Sequence, residues 1–162
     1  MRLWAFLFVF FVFSAAAYAQ ETALPLPRFA SLNSGEVNLR TGPGTRYPIT
    51  WVYNQKGLPV EIVREFETWR QIKDLNGDQG WLHQSMLSGK RTALITPHNL
   101  SKTVILRKKP NKNSAVVARL KPHLLVQLNL CAPIWCEIEV QGFVGWAEKT
   151  NLWGVYTAEQ WD

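Results

Sequence analysis

Val37-Asn38-Leu39-Arg40-Thr41-Gly42-Pro43-Gly44-Thr45-Arg46-Tyr47-Pro48 opens a unit of about sixty residues that recurs, in altered form, from Val104 onward. Val37 and Leu39 alternate with Asn38 and Arg40 at the period of a strand with one buried face. Thr41-Gly42-Pro43-Gly44 then breaks the strand: Pro43 fixes its own φ, and Gly44 is free to take the positive φ of a type II turn. A short strand therefore runs into a long, stiff loop.

Around this stretch the chain reads as short strands punctuated by turns. Arg28 to Leu32 is a possible first strand, turning through Asn33-Ser34-Gly35. After the loop come Ile49 to Tyr53, a turn over Asn54-Gln55-Lys56-Gly57, and Leu58 to Phe66 with Val60 and Ile62 on one face. Thr68 to Asp74, a two-residue hairpin turn at Asn76-Gly77, and Gly80-Trp81-Leu82 follow, with one helical turn expected over Gln84 to Leu87. No helical period competes, and the pattern predicts a small antiparallel barrel.

The second copy aligns with the first. Leu106-Arg107 repeats Leu39-Arg40, Pro110 repeats Pro43, and Leu124, Val126 and Leu128 repeat Leu58, Val60 and Ile62. Trp135 repeats Trp69, Ile138 repeats Ile72, Gln141-Gly142 repeats Asn76-Gly77, and Gly145-Trp146 repeats Gly80-Trp81. Gly42 and Gly44 become Lys109 and Asn111, so the second loop need not keep the first loop's turn.

The first nineteen residues carry one basic residue, Arg2, an apolar run from Leu3 to Phe13, and small residues at Ala17 and Ala19 flanking Tyr18. This is the pattern of a secretory signal peptide cleaved after Ala19. The run is shorter than the ~20 residues that span a bilayer, so no transmembrane segment is expected in the mature chain. Cys131 and Cys136 bracket a hairpin tip, and an even pair in an exported chain predicts a disulfide. Their counterparts in the first copy, Glu65 and Arg70, have opposite charges, which predicts an ion pair at the same cross-strand position.

Without Arg2, 17 basic residues face 12 acidic ones. No Asp or Glu lies between Asp78 and Glu137, while Lys90, Arg91, Lys102, Arg107, Lys108, Lys109, Lys112, Arg119 and Lys121 do, so the two ends of the molecule differ in sign. An exported chain does not meet nucleic acid, which leaves anionic envelope polymers, lipid headgroups or acidic proteins as partners, unless these cations merely solvate the domain.

The run Leu39-Arg40-Thr41-Gly42-Pro43-Gly44, followed by Gly57-Leu58-Pro59-Val60, Trp69-Arg70-Gln71-Ile72 and Gly80-Trp81, resembles a bacterial SH3 (SH3b) domain. With Trp135-Cys136 in the second copy and Asn151-Leu152-Trp153-Gly154-Val155-Tyr156 at its end, the pair resembles the exported tandem SH3-like proteins of Gram-negative bacteria. The resemblance implies small β-barrels that bind or position partners, often cell-wall peptide, rather than a catalyst.

The expected layout is all-β: a signal peptide over 1–19, an extended lead-in over 20–30, SH3-like barrels over 31–92 and 97–156, and a C-terminal tail over 157–162. The candidate ligand-binding residues are Trp69, Tyr47, Tyr53 and Arg40 in the first copy and Lys108, Lys109 and Lys112 on the second loop. Trp69 lies three residues from Ile72, so in a regular strand the two face opposite sides. Trp69 is then either an outward aromatic platform or a residue packed under the Arg40 loop or against the other barrel. Trp81 and Trp146 are expected in the cores, and Arg40 and Arg107 are expected to brace loop carbonyls. His83, His98 and His123 lack metal-ligand spacing, no cofactor is implied, and no residues remain for a separate peptidase domain. The apolar tail, with Trp153, Val155, Tyr156 and Trp161, either folds back or offers itself to a partner. The expected protein is a non-catalytic periplasmic binder of cell-wall peptidoglycan or another envelope component, the alternative being a scaffold for an envelope enzyme through the Arg40 loop and the tail.

Overall fold

The computed structural model describes residues 24–97 and 102–162, so the signal segment and His98 lie outside the described residues. Two seven-stranded antiparallel sheets each wrap their own core. The first contains β1 (Arg28–Leu32), β2 (Val37–Arg40), β3 (Ile49–Tyr53), β4 (Pro59–Phe66), β5 (Trp69–Lys73), β6 (Gln79–His83) and β7 (Leu87–Ser88), in the order β3-β2-β6-β5-β4-β1-β7. The second contains β8 (Thr92–Ile95), β9 (Val104–Arg107), β10 (Val116–Leu120), β11 (Leu125–Cys131), β12 (Trp135–Val140), β13 (Phe143–Glu148) and β14 (Leu152–Trp153), in the order β10-β9-β13-β12-β11-β8-β14. Strand for strand the orders are the same. The fold is two tandem SH3-like β-barrels.

Two of the expected boundaries shift. Arg28 to Ala30 belong to β1, where they pair with Ile62, Glu61 and Val60, so the lead-in ends earlier than residue 30. Thr92 to Ile95 form β8 of the second barrel, pairing with β11 and β14, so the chain changes barrels near Gly89 to Arg91. Ala93 and Ile95 are fully buried there, and that apolar demand draws the segment into the second core. Of the two alternatives for the tail, the structure has it folded back: Trp161 bridges Cys131 through both backbone bonds, and its side chain packs on the second core.

Gly80 and Gly145 explain the repeated Gly-Trp pair. A Cβ on Gly80 would lie 2.5 Å from Leu39 Cγ, and one on Gly145 would lie 2.8 Å from Leu106 Cγ, so the glycines make room for the two leucines that open each unit. Leu82 and Ala147 follow them into the cores, while the tryptophans between take the alternate face. Trp81 is still covered, but Trp146 is only half-buried and is not the core residue expected.

The hairpin tips differ. Gln141 and Gly142 both have positive φ, and Val140 pairs directly with Phe143, which is the two-residue turn predicted. At Asn76-Gly77 the loop is longer: Gly77 N–H reaches Asp74 O, and the last regular pair is Lys73 with Gln79. Asp74 imposes this, because its Oδ1 accepts the N–H groups of both Asn76 and Asp78. The other cross-strand expectation holds in both copies. Glu65 pairs with Arg70 in register, with Arg70 Nε 2.9 Å from Glu65 Oε1, and Cys131 pairs with Cys136 in register and is disulfide-bonded to it.

The barrels meet along a polar and aromatic seam. Phe29 packs against Trp153 and Tyr156 with ring centroids 5.2 and 4.7 Å apart. Tyr156 Oη donates to Glu61 Oε1 at 2.8 Å, Lys73 pairs with the same carboxylate, and Thr92 Oγ1 donates to Gly57 O at 2.7 Å. Burial and the Glu61 hydrogen bond hold the Tyr156 phenol above its ordinary range.

Two further residues, Arg91 and Lys149, hold the tail. Arg91 pairs with Glu159 and lies over the Trp161 ring at 4.6 Å, while buried Lys149 donates to Thr157 O and Glu159 O. Burial pushes the Glu159 carboxyl up, but the hydrogen bonds from Arg91 and Tyr156 N–H outweigh it and the net shift is downward.

Replacing Cys131 and Cys136 with Ser should cost the second barrel about 2 kcal/mol, since the closed loop is short. Chemical denaturation measures this, and intact mass of the unreduced protein should show both thiols oxidised. Because Glu159 titrates low in the folded state, its stabilisation is complete above the ordinary carboxylate range and is lost as pH falls through the lowered value. Glu159→Gln should therefore destabilise by about 1 to 3 kcal/mol at pH 7. Its deficit relative to wild type should shrink on acidification to pH 3, and a constant deficit across that range would contradict the assignment.

Candidate functional site

β3 is the outermost strand of the first sheet, and its sequence Ile49-Thr50-Trp51-Val52-Tyr53 carries no charge. Pairing with β2 sets Trp51 opposite Leu39 and Tyr53 opposite Val37. Their fates differ: Tyr53 is buried in the first core, whereas Trp51, next to a bulge at Thr50, is 62 % exposed. Ile49 and Val52 are exposed beside it.

Trp51 stands at a cleft of about 290 Å³ where the two barrels approach, walled by Tyr53, Pro59, Asp74 and Asp78 of the first barrel and by Leu94 and His123 of the second. Tyr53 Oη donates to Asp74 Oδ2 at 3.0 Å. Burial, with Asp74 and then Asp78 nearby, holds that phenol well above its ordinary range, so it stays a neutral donor. Asp74 thus receives neutral donors: Tyr53 Oη and the N–H groups of Asn76 and Asp78. Among the described residues no cation pairs with Asp74 or Asp78. The cleft joins an aromatic face to negative charge on a molecule that is basic overall.

Of the residues expected from sequence, Tyr53 alone reaches this cleft. Arg40 braces the Gly-Pro-Gly loop as expected, its Nη1 donating to Thr45 O at 3.0 Å and Tyr47 O at 2.8 Å, and Arg107 Nη1 donates likewise to Ser114 O. Tyr47 lies within the same loop. A Cβ on Gly42 would sit 2.6 Å from its ring, and the Arg46 guanidinium covers the ring at 5.2 Å. This explains why Lys109 and Asn111 suffice in the second loop, where Ser114 stands in place of the tyrosine.

Trp69 is half-buried at the start of β5, outside the first core, with its ring edge-on to His83 at 5.6 Å. No bulge interrupts β5; the bulge is in β4, between Ile62 and Arg64, and matches one between Leu128 and Leu130. Its repeat, Trp135, is buried and floors a separate recess of about 320 Å³ bordered by Lys102, Arg107 and Glu148. Lys108, Lys109 and Lys112 are exposed, with Lys112 Nζ 3.7 Å from Glu148. The structure does not gather Trp69 and the lysines into one groove.

Sequence reading missed Trp51, Asp74, Asp78 and His123 as neighbours. The available signal was a tryptophan in an uncharged run from Pro48 to Gln55, together with two aspartates four residues apart around a glycine turn. Which barrel face the turn would meet was not readable from either copy alone.

Among solved structures the chain is similar to NlpC2 from Trichomonas vaginalis, at 10% identity over 78% of this chain and 48% of that one, with a TM-score of 0.35. It is likewise similar to NlpC1 from the same organism, at 10% identity over 81% and 47%, with a TM-score of 0.35. A third is an NlpC/P60 family protein from Bacillus cereus ATCC 10987, at 13% identity over 76% and 55%, with a TM-score of 0.34. The chain spans about half the length of these proteins. No curated protein matches it. The model of the bacterial SH3 domain matches residues 33–89 and again 101–154, one match to each barrel. With both strand orders and both matches in agreement, the chain belongs to the bacterial SH3 domain family.

Proposed function

We propose that this protein is a non-catalytic binding module of the bacterial cell envelope, exported to the periplasm, whose ligand is cell-wall peptidoglycan or another envelope component. Membership of the bacterial SH3 family supports a cell-wall-associated role, and the signal-like leader supports export. The observation that carries the reading is the cleft at Trp51: a largely exposed tryptophan beside a recess with two carboxylates that no cation answers among the described residues. Aromatic faces give large contact area at little entropic cost, and such an exposed residue has no evident structural duty.

Both cysteines are consumed in the disulfide, and Asp74 already accepts three hydrogen bonds. Neither arrangement offers a poised nucleophile or base, which supports binding over catalysis. Of the scaffold reading's two contacts, the Arg40 loop is braced from within by Arg40 and keeps Thr45 and Arg46 exposed, while the tail is folded onto the second barrel.

Sedimentation with purified peptidoglycan sacculi tests the proposal. The wild-type protein should be retained, and Trp51→Ala should weaken retention by about tenfold at every salt concentration, since truncating an aromatic anchor removes salt-independent contact. Circular dichroism should be unchanged, because Trp51 belongs to neither core. Lys108, Lys109 and Lys112 changed together to Ser should weaken retention at low salt alone, as exposed charges are screened within ~8 Å at physiological ionic strength. Loss of all sacculus binding by the wild type, with a protein co-purifying instead, would overturn the wall reading.

A further inference from the structure

β3 presents an open edge. As the terminal strand of its sheet, it leaves alternate N–H and C=O groups of Ile49–Tyr53 without a ladder partner on the outer side among the described residues. Exposed edges are ordinarily guarded by charge, proline or a bulge turned outward. The equivalent edge strand of the second barrel, β10, carries exposed Arg119 and is followed by Lys121. β3 follows Pro48 and is bulged at Thr50, as β10 is at Val117, but it has no charged guard and exposes Ile49, Trp51 and Val52 at 47, 62 and 37 %. The same strand borders the cleft through Trp51 and Tyr53, so an added strand would run its side chains along the wall that holds Asp74 and Asp78.

We infer that β3 is a strand-addition site for an extended peptide bearing a primary amine, with peptide backbone on the β3 edge, an apolar side chain against Trp51, and the amine at Asp78 and Asp74. This rests on the binding role proposed above and specifies its ligand class. Strand addition gives affinity through main-chain hydrogen bonds and specificity through alternate side chains. Charge selects the occupant. Asp74 holds neutral donors and Asp78 faces the cleft unpaired among the described residues, so the complementary ligand must bring the cation. A second copy of this chain is the poorer fit, because its own Ile49–Tyr53 edge is uncharged and supplies none.

The probe is a short capped peptide of alternating threonine and valine with one central lysine, titrated into the isotopically labelled protein. Amide shifts should concentrate on Ile49 to Tyr53, the Trp51 indole and Asp78. Acetylating the lysine amine should weaken binding about tenfold, in keeping with loss of a charge-assisted hydrogen bond. Asp78→Asn should weaken the lysine peptide to the level of the acetylated one and leave the acetylated one unchanged. Trp51→Ala should weaken both peptides. N-methylation of alternate backbone amides should abolish binding in one register and spare it in the other, as a strand ladder requires.

Equal affinity for the free and acetylated peptides would overturn the amine assignment, and indifference to N-methylation would overturn strand addition. Concentration-dependent dimerisation with the same β3 shifts would identify a second copy as the occupant and overturn the proposal. Peptide binding at β3 without sacculus retention leaves this site standing and removes the wall as its source. Retention of sacculi with no shift at β3 does the reverse.

Discussion

The buried carboxylate of Glu61 fixes the relation between the two barrels. Only 6 % of the residue is exposed, and a carboxylate taken out of water at that depth costs several kcal/mol unless partners replace the lost hydration. Lys73 supplies charge from the same sheet, and Tyr156 supplies a hydroxyl donor from the other barrel. Because the second partner comes from across the seam, the barrels cannot separate without stripping a buried ion of one of its two replacements. Phe29, Trp153 and Tyr156 close around this point and keep water from substituting. The cleft at Trp51 is a by-product of that orientation, since Leu94 and His123 become its walls only when the barrels are held in this relation.

The duplication conserved geometry while exchanging chemistry. Glu65 with Arg70 and Cys131 with Cys136 stand at the same cross-strand position beyond the same bulge, one held by charge and the other by a covalent bond. Arg40 and Arg107 keep both guanidinium and task, but the loop they brace has changed from a tyrosine packed on glycine to a lysine-rich turn. With the brace the same and the loop different, the two copies present different surfaces. The first presents aromatic and acidic groups beside the seam, and the second presents cations.

Much of the fold was legible because alternation, Gly-Pro turns and the repeat all encode local geometry. The Val37–Arg40 and Val104–Arg107 strands, the paired cysteines and the Glu65 to Arg70 ion pair depend on neighbours a hairpin apart. What failed depended on the second barrel or on side-chain competition. Thr92 to Ile95 gave no sign of which sheet would accept it, and Asp74 remodelled a turn whose Asn-Gly dipeptide pointed to a shorter one. The site was the least legible part. Trp51 and Trp69 are alike as letters, and burial, decided by the edge position of β3, is what separates them.

The connection of β8 has a consequence for the order in which the chain matures. Residues 28–88 contain every strand of the first sheet, so this barrel has all its pairing partners as soon as that length is available. The second barrel begins with β8 at Thr92, yet β8 is completed on one side by β14 and its entry at Arg91 is clamped by Glu159, both far later in the chain. Delivered from its N-terminus, the chain therefore presents one finished barrel tethered to an open sheet whose edge waits for the last residues to arrive. Over that interval the finished barrel, through Phe29 and Glu61, is a preformed surface on which the later aromatic residues dock.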